Sequence, residues 1–125
     1  MKYIIAFDGG YNKTGGYGSF VIARDEDVVV LTSKAFPHAR TCNEAEYMAM
    51  LESLSYLRRV CSPSNTDTVT IQTDSQLVAG HMSGIMKVRA DNLKKLYLRG
   101  IGLLAGLQWE INWWPREYSV QLFGH

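Results

Sequence analysis

Three acidic residues of this chain stand where their carboxylates could do chemistry: Asp8, Glu46 and Asp74. Asp8 follows the apolar run Lys2–Phe7 and precedes two glycines, which let a metal ion, a ligand or another stretch of backbone approach closely. Asp74 likewise follows a predicted strand, Thr68–Thr73. An isolated Asp-Gly-Gly sequence can simply open a turn, so the functional interpretation of Asp8 depends on the other two acids.

The hydrophobic pattern predicts five strands. The first run, Lys2–Phe7, is apolar without alternation, which is typical of a central strand covered on both faces. Tyr17–Ala23 and Val28–Phe36 continue it as an antiparallel meander. Thr68–Thr73 is reached through a helix and is therefore expected to lie parallel to the first strand, with Gln108–Trp114 as the last strand. The result is an α/β fold with a five-stranded mixed sheet, three antiparallel strands and then two parallel ones.

Helices are predicted on this sheet from apolar residues at helical spacing. Asn43–Val60 is the longest, with Thr41 or Asn43 as its cap. A short helix behind Ser75 and a second behind Asp91 or Asn92 follow. No helix is predicted after Pro115, so a C-terminal helix is expected to be missing.

The predicted topology brings the three acids together. Because parallel neighbouring strands end at the same edge of a sheet, Asp8 and Asp74 are expected side by side, with Glu46 in the first turn of the helix above them. Three carboxylates at one place repel one another unless a cation lies between them. Oxygen ligands without His or Cys favour Mg²⁺ or Mn²⁺, and such ions support phosphodiester chemistry by a two-metal mechanism.

Four short stretches, in order along the chain, resemble ribonuclease H of type 1. They are Phe7-Asp8-Gly9-Gly10, Thr41-Cys42-Asn43-Glu44-Ala45-Glu46-Tyr47, Thr73-Asp74-Ser75-Gln76-Leu77-Val78 and Trp114-Pro115-Arg116-Glu117. The resemblance implies a ribonuclease H-like fold and a metal-dependent endoribonuclease. Such an enzyme cuts the RNA strand of an RNA/DNA hybrid, with Mg²⁺ or Mn²⁺, to 5′-phosphate and 3′-hydroxyl products. Asp8, Glu46 and Asp74 match the first three metal-binding acids of that family.

The fourth acid of the family has no counterpart here. The corresponding count from Arg116 falls on Phe123, and no acid follows Glu117. With a two-residue insertion His125 would take the place, as a catalytic metal ligand or proton shuttle, or it is a frayed terminus. Two alternatives therefore stay open: a catalytically weak module that binds hybrids, and a nuclease of the same fold that acts on another duplex, such as double-stranded RNA.

The resemblance also implies a surface that contacts the hybrid. Asn12 would face the RNA 2′-hydroxyl, Thr41 a phosphate of the DNA strand, and Gln76 the hybrid nearby. Independently of the resemblance, a modest basic patch is expected either to face phosphates or to be a solvated helix face; it consists of Lys87, Arg89, Lys94, Lys95 and Arg99. The full set of expected contact residues is Gly9, Gly10, Asn12, Thr41, Asn43, Gln76, Lys87, Arg89 and Asn92.

Residues outside this surface are expected to have structural roles. Trp113 is predicted to pack in the core because one of two successive strand residues must face it, while Trp114 is left open. His81 has no acid or ligand partner in a recognised spacing and is expected at the surface.

The composition limits the remaining possibilities. A chain of 125 residues with 46% hydrophobic content is expected to form one domain, residues 1–125. A formal net charge of +1 argues against binding of nucleic acid by bulk charge alone. The two cysteines have no paired-ligand spacing, which suggests a reducing compartment. Without a leader or a membrane-spanning run the protein is expected to be cytoplasmic, and nothing in the sequence demands more than a monomer.

Overall fold

A computed structural model describes residues 1–124 and contains the predicted five-stranded sheet. The strands are β1 (Lys2–Asn12), β2 (Gly15–Arg24), β3 (Asp27–Phe36), β4 (Thr68–Thr73) and β5 (Gln108–Trp113). Their spatial order is β3-β2-β1-β4-β5, so β1 is central, as its unbroken apolar run predicted. Strands β1 to β3 are antiparallel, and β4 pairs in parallel with both β1 and β5.

Within the described residues, four α-helices accompany the sheet. They are α1 (Cys42–Tyr56), α2 (Gln76–Ser83), α3 (Asp91–Leu104) and α4 (Arg116–Phe123), and a turn of π-helix, Leu57–Cys61, extends α1. The core is built between β1, β4 and α1, where Ile5, Phe7, Leu54 and Ile71 are fully buried. Thr41 caps α1, since its side chain accepts a hydrogen bond from the Glu44 N–H.

Strand β1 is longer than its apolar run predicted. It continues past Asp8 to Asn12, because the segment pairs with β2 down to the partners Asn12 and Gly15. The tight connection depends on Gly15, whose φ of 115° is a conformation that residues with a Cβ rarely adopt. The segment between the first two predicted strands is therefore the end of a β-hairpin, and Asp8 lies inside a strand.

The prediction that a C-terminal helix is missing is wrong. Helix α4 begins directly after Pro115, whose φ of −61° suits the entry to a helix, and ends at Gly124, whose φ is 78°. The indole Nε1 of Trp114 donates a hydrogen bond to the Ser119 hydroxyl over 3.2 Å, and Ser119 is fully buried. This contact fixes the first turns of α4 against the end of β5.

None of the helices within residues 1–124 is both long enough and apolar enough to cross a membrane.

Candidate active site

Strands β1 and β4 place Asp8 and Asp74 at the same edge of the sheet. The last parallel pair between the two strands is Phe7 with Thr73, and the two acids follow directly. The predicted neighbourhood of these residues is confirmed, since both line one cavity of about 330 Å³. Asp8 is buried, with 8% of its surface exposed.

Helix α1 brings Glu46 to the same cavity. Glu46 is the fifth residue of α1, just past the first turn in which it was predicted, because the helix begins at Cys42, one residue before the predicted start. The helix can approach β1 this closely because of Gly9. A Cβ added to Gly9 would stand 2.5 Å from the backbone of Ala45 and Glu46.

The electrostatics of Glu46 follow from its burial among acids. The pKa of Glu46 is raised from 4.5 to about 7, mainly by burial and to a smaller extent by the neighbouring charges of Asp74 and Asp8. A hydrogen bond with the Ser75 side chain and the charge of Arg116 lower this pKa, but only in part. One oxygen of the carboxylate, Oε2, is buried without a hydrogen-bond partner among the described residues.

The composition of this site fits a hard divalent cation. The acidic side chains of the site offer only oxygen atoms as donors, which a hard divalent cation prefers. A bound cation would also supply the missing partner of the buried Glu46 Oε2. Within residues 1–124, however, no three His, Cys, Asp or Glu side chains already stand close enough together to hold an ion.

Four residues that the sequence did not predict as site residues also line this cavity: Tyr11, Tyr17, Cys42 and Arg116. Arg116 could have been found, since it belongs to one of the four stretches that carried the resemblance. Cys42 precedes Asn43 in another of these stretches. The tyrosines had no signal in the sequence, because only the β1–β2 hairpin brings them to the acids.

Asp74 is held in place by the end of β5. The backbone N–H of Trp114 donates to the Thr73 carbonyl over 2.8 Å, and the Trp113 indole donates to the Asp74 carbonyl over 3.0 Å. The prediction that Trp113 packs in the core is wrong. Its side chain is 47% exposed, because its ring lies along the edge of the sheet to reach Asp74.

Of the predicted contact residues, Gly9 and Gly10 are buried and line this cavity. Asn12, Thr41, Asn43 and Gln76 are all exposed. The side-chain oxygen of Asn12 accepts hydrogen bonds from Thr14, which orders the tip of the β1–β2 hairpin.

The predicted basic patch is separate from the acids. Lys87, Arg89 and Asn92 are exposed and do not line the acidic cavity. Lys87 instead lines a larger cavity of about 560 Å³ between the loop after α2 and helix α3. Asn92 is linked to the start of α1, since its side-chain amide donates to a Glu44 carboxylate oxygen over 2.7 Å.

The prediction that His81 lies at the surface is wrong. His81 is 4% exposed, and its Nδ1 is 2.7 Å from the hydroxyl of Tyr47, which is fully buried. The two rings stack with centroids 6.0 Å apart. This pair joins α2 to α1 one residue beyond Glu46. His125, the candidate for the fourth ligand, lies outside the described residues.

Known proteins share this architecture. No protein-family model matches the chain. The bifunctional protein Rv2228c of Mycobacterium tuberculosis is 32% identical over 125 positions, which cover 96% of this chain and 33% of the relative. The chain thus spans about a third of the length of the curated relatives that it matches.

Two solved structures superpose closely. The N-terminal RNase H domain of Rv2228c from Mycobacterium tuberculosis matches with a TM-score of 0.82 and 27% identity, over 97% of this chain and 89% of that one. LC11-RNase H1 from compost, solved in complex with an RNA/DNA hybrid, matches with a TM-score of 0.84 and 23% identity, over 96% of this chain and 90% of that one. The fold of this chain therefore matches that of type 1 ribonuclease H domains.

Proposed function

We propose that this domain is a ribonuclease H, which hydrolyses the RNA strand of RNA/DNA hybrids. The observation that carries the proposal is the convergence of Asp8, Glu46 and Asp74 on one cavity at the edge of the sheet. LC11-RNase H1, which has the same fold, binds such a hybrid in its crystal structure. The products would be a 5′-phosphate and a 3′-hydroxyl, because water attacks phosphorus and the bond to the 3′ oxygen breaks.

Asp8, Glu46 and Asp74 would hold the metal. Bound there, Mg²⁺ or Mn²⁺ would supply the Lewis-acid chemistry of a two-metal phosphodiester hydrolysis. The residues of the chain fix the positions of the ligands: β1 and β4 hold Asp8 and Asp74 at one level, and the close approach at Gly9 sets Glu46 beside them. Ser75 orients Glu46 through its hydrogen bond while its hydroxyl also caps α2.

The hybrid would lie across the surface around the acidic cavity. Thr41 and Asn43 stand at the start of α1, and Asn92 is tied to the same place through Glu44. Thr41 would contact the DNA strand, while Asn12 and Asn43 would face the RNA strand, with Gly9 and Gly10 on the β1–β2 hairpin beside them. Gln76 begins α2 next to Asp74, and Lys87 and Arg89 would extend the contacts to phosphates farther along.

The test is strand-specific cleavage of end-labelled duplexes. The domain is incubated with an RNA/DNA hybrid, an RNA/RNA duplex and a DNA/DNA duplex, each with Mg²⁺, with Mn²⁺ and with EDTA. The proposal predicts metal-dependent cutting of the RNA strand in the hybrid alone. Cutting of the RNA/RNA duplex at a similar rate would mean that the substrate is broader than proposed. Hybrid binding without cutting in either metal would overturn the assignment as an enzyme.

A further inference from the structure

The cavity of about 560 Å³ between the loop after α2 and helix α3 shares no lining residue with the acidic cavity. Its volume lies in the range of small-molecule sites, which are mostly apolar with a few polar groups that orient the ligand. Part of its lining consists of the exposed apolar side chains of Ile85, Met86 and Leu98. Apolar side chains that are exposed together around one hollow are typical of a ligand-binding groove.

His81 forms the floor of this cavity and is the buried residue among the described residues that line it. The Tyr47 hydroxyl is 2.7 Å from Nδ1, and because a buried hydroxyl needs an acceptor for its proton, it donates to that nitrogen. Burial lowers the pKa of His81 below its ordinary value of 6.5. The neutral ring therefore carries its proton on Nε2.

The Nε2–H group of His81 is a free donor that reaches the cavity. It has no hydrogen-bond partner within residues 1–124. It is not enclosed by protein either, since in that part of the chain the fully buried polar side-chain atom without a partner is the Glu46 Oε2. The floor of the cavity thus offers a hydrogen-bond donor to a ligand.

The lining of this cavity is positively charged. Lys87 and Lys94 belong to it, and none of the described residues that line it is an Asp or a Glu. Lys94 has one ionic contact within residues 1–124, a distance of 3.8 Å to the carboxylate of Asp91, whose side chain is 98% exposed. Such a contact between exposed groups is weak in water, so both ammonium groups are available to an anion.

The walls on either side of His81 are fixed before any ligand binds. On one side, the N–H of Met86 donates to the Gly80 carbonyl over 2.9 Å, and a Cβ on Gly80 would collide with the Met86 sulfur. On the other side, α3 packs on α1 at Gly100, where an added Cβ would lie 2.8 Å from the Met50 methyl carbon. A preformed site of this kind loses little conformational freedom on binding.

We propose that this cavity binds a small amphipathic carboxylate, that is, a carboxylate head on an apolar chain or ring. The head would lie near Lys87, Lys94 and the Nε2–H of His81, and the apolar part would cover Met86 and Leu98. A single negative charge suits the hollow better than a phosphate dianion, because each charge that leaves water must be paired. The site is separate from the acidic cavity, so this inference goes beyond the proposed function.

The first test measures binding of decanoate to the wild-type domain by isothermal titration calorimetry, at concentrations below those at which decanoate forms micelles. Acetate and inorganic phosphate lack the apolar part, and decylamine carries the opposite charge. Decanoate is expected to bind at least about tenfold more tightly than each of these three. Equal affinity for decylamine would show that the cavity does not select an anion, and equal affinity for phosphate would show that its apolar walls do not contribute; either result would overturn the proposal.

The second test locates the bound decanoate with variants of exposed residues, whose replacement should leave the fold intact. Leu98→Ser removes part of the apolar wall and should weaken binding about tenfold. Lys94→Gln removes one charge and should weaken it about threefold. Lys95→Gln is the matched control and should bind as the wild type does, because Lys95 is exposed on the same helix and does not line the cavity. Wild-type affinity in Leu98→Ser or in Lys94→Gln would contradict the proposed site.

Nuclear magnetic resonance tests the floor of the cavity without a mutation. The ring ¹⁵N signals of His81 should report a proton on Nε2 and should shift as decanoate saturates the site. The ring signals of His38 should stay constant, because His38 is exposed and does not line the cavity. Saturation with decanoate that leaves the His81 signals unchanged would refute the role of this cavity.

Discussion

Replacing Glu46 by Gln should stabilise the metal-free domain, and the gain should depend on pH. Burial and the charges of Asp74 and Asp8 raise the pKa of Glu46 from 4.5 to about 7. At about 1.4 kcal/mol per pH unit, ionised Glu46 costs the folded state roughly 3 kcal/mol. The folded state binds this proton more tightly than the unfolded chain. The stability that the proton contributes is therefore fully present below the unfolded pKa of 4.5 and lost as the pH rises to about 7.

Urea denaturation in EDTA measures this effect directly. The free energy of unfolding of Glu46→Gln should exceed that of the wild type by less than about 1 kcal/mol at about pH 5 and by roughly 3 kcal/mol at about pH 8. Glu110→Gln is the control, because Glu110 is exposed on β5 and does not line the acidic cavity. An advantage of Glu46→Gln that is equal at both pH values would refute the argument from burial and neighbouring charge.

Three further predictions concern the metal and the packing around the site. Mg²⁺ at about ten times its dissociation constant should raise the unfolding free energy of the wild type by about 1.4 kcal/mol and that of Asp8→Asn by much less, measured by thermal shift. Tyr47→Phe should destabilise the domain by about 1 to 3 kcal/mol in urea, because it leaves the buried Nδ1 of His81 without its partner; a loss below about 0.5 kcal/mol would contradict that assignment. Gly9→Ala should destabilise the domain strongly, since the added Cβ would meet the backbone of α1. Gly102→Ala, where no atom lies within 4 Å of the added Cβ, should stabilise α3 by up to about 1 kcal/mol. Equal changes in unfolding free energy for the two variants would show that α1 can move away from β1.

The sheet and its acids could be predicted because their signals are local. Lys2–Phe7 is apolar without alternation, which indicates a central strand wherever it occurs. Asp8 and Asp74 each follow a predicted strand, and the crossover through α1 makes those two strands parallel. The relative position of the two acids thus follows from the connection, without knowledge of any side-chain contact.

The features that were missed depend on partners far away in the chain or on short elements. Helix α4 has only eight residues, too few to form alone, and it is stabilised by the bond from Trp114 to Ser119. His81 is buried because Tyr47, 34 residues earlier, provides its hydrogen bond. Arg116 was recognised as part of a motif but not as a residue of the acidic cavity, because its place there depends on α4, which was not predicted.

The measurement that tests the central claim most directly is the rate at which Asp8→Asn cuts the RNA strand of a hybrid in Mg²⁺, relative to the wild type. The three carboxylates are proposed to hold the metal together, so this variant should fold normally and cut no faster than the wild type does in EDTA. The conservative change removes one charge and keeps the shape of the side chain. A folded Asp8→Asn that cuts the hybrid at the wild-type rate would contradict the assignment of this cavity as the active site.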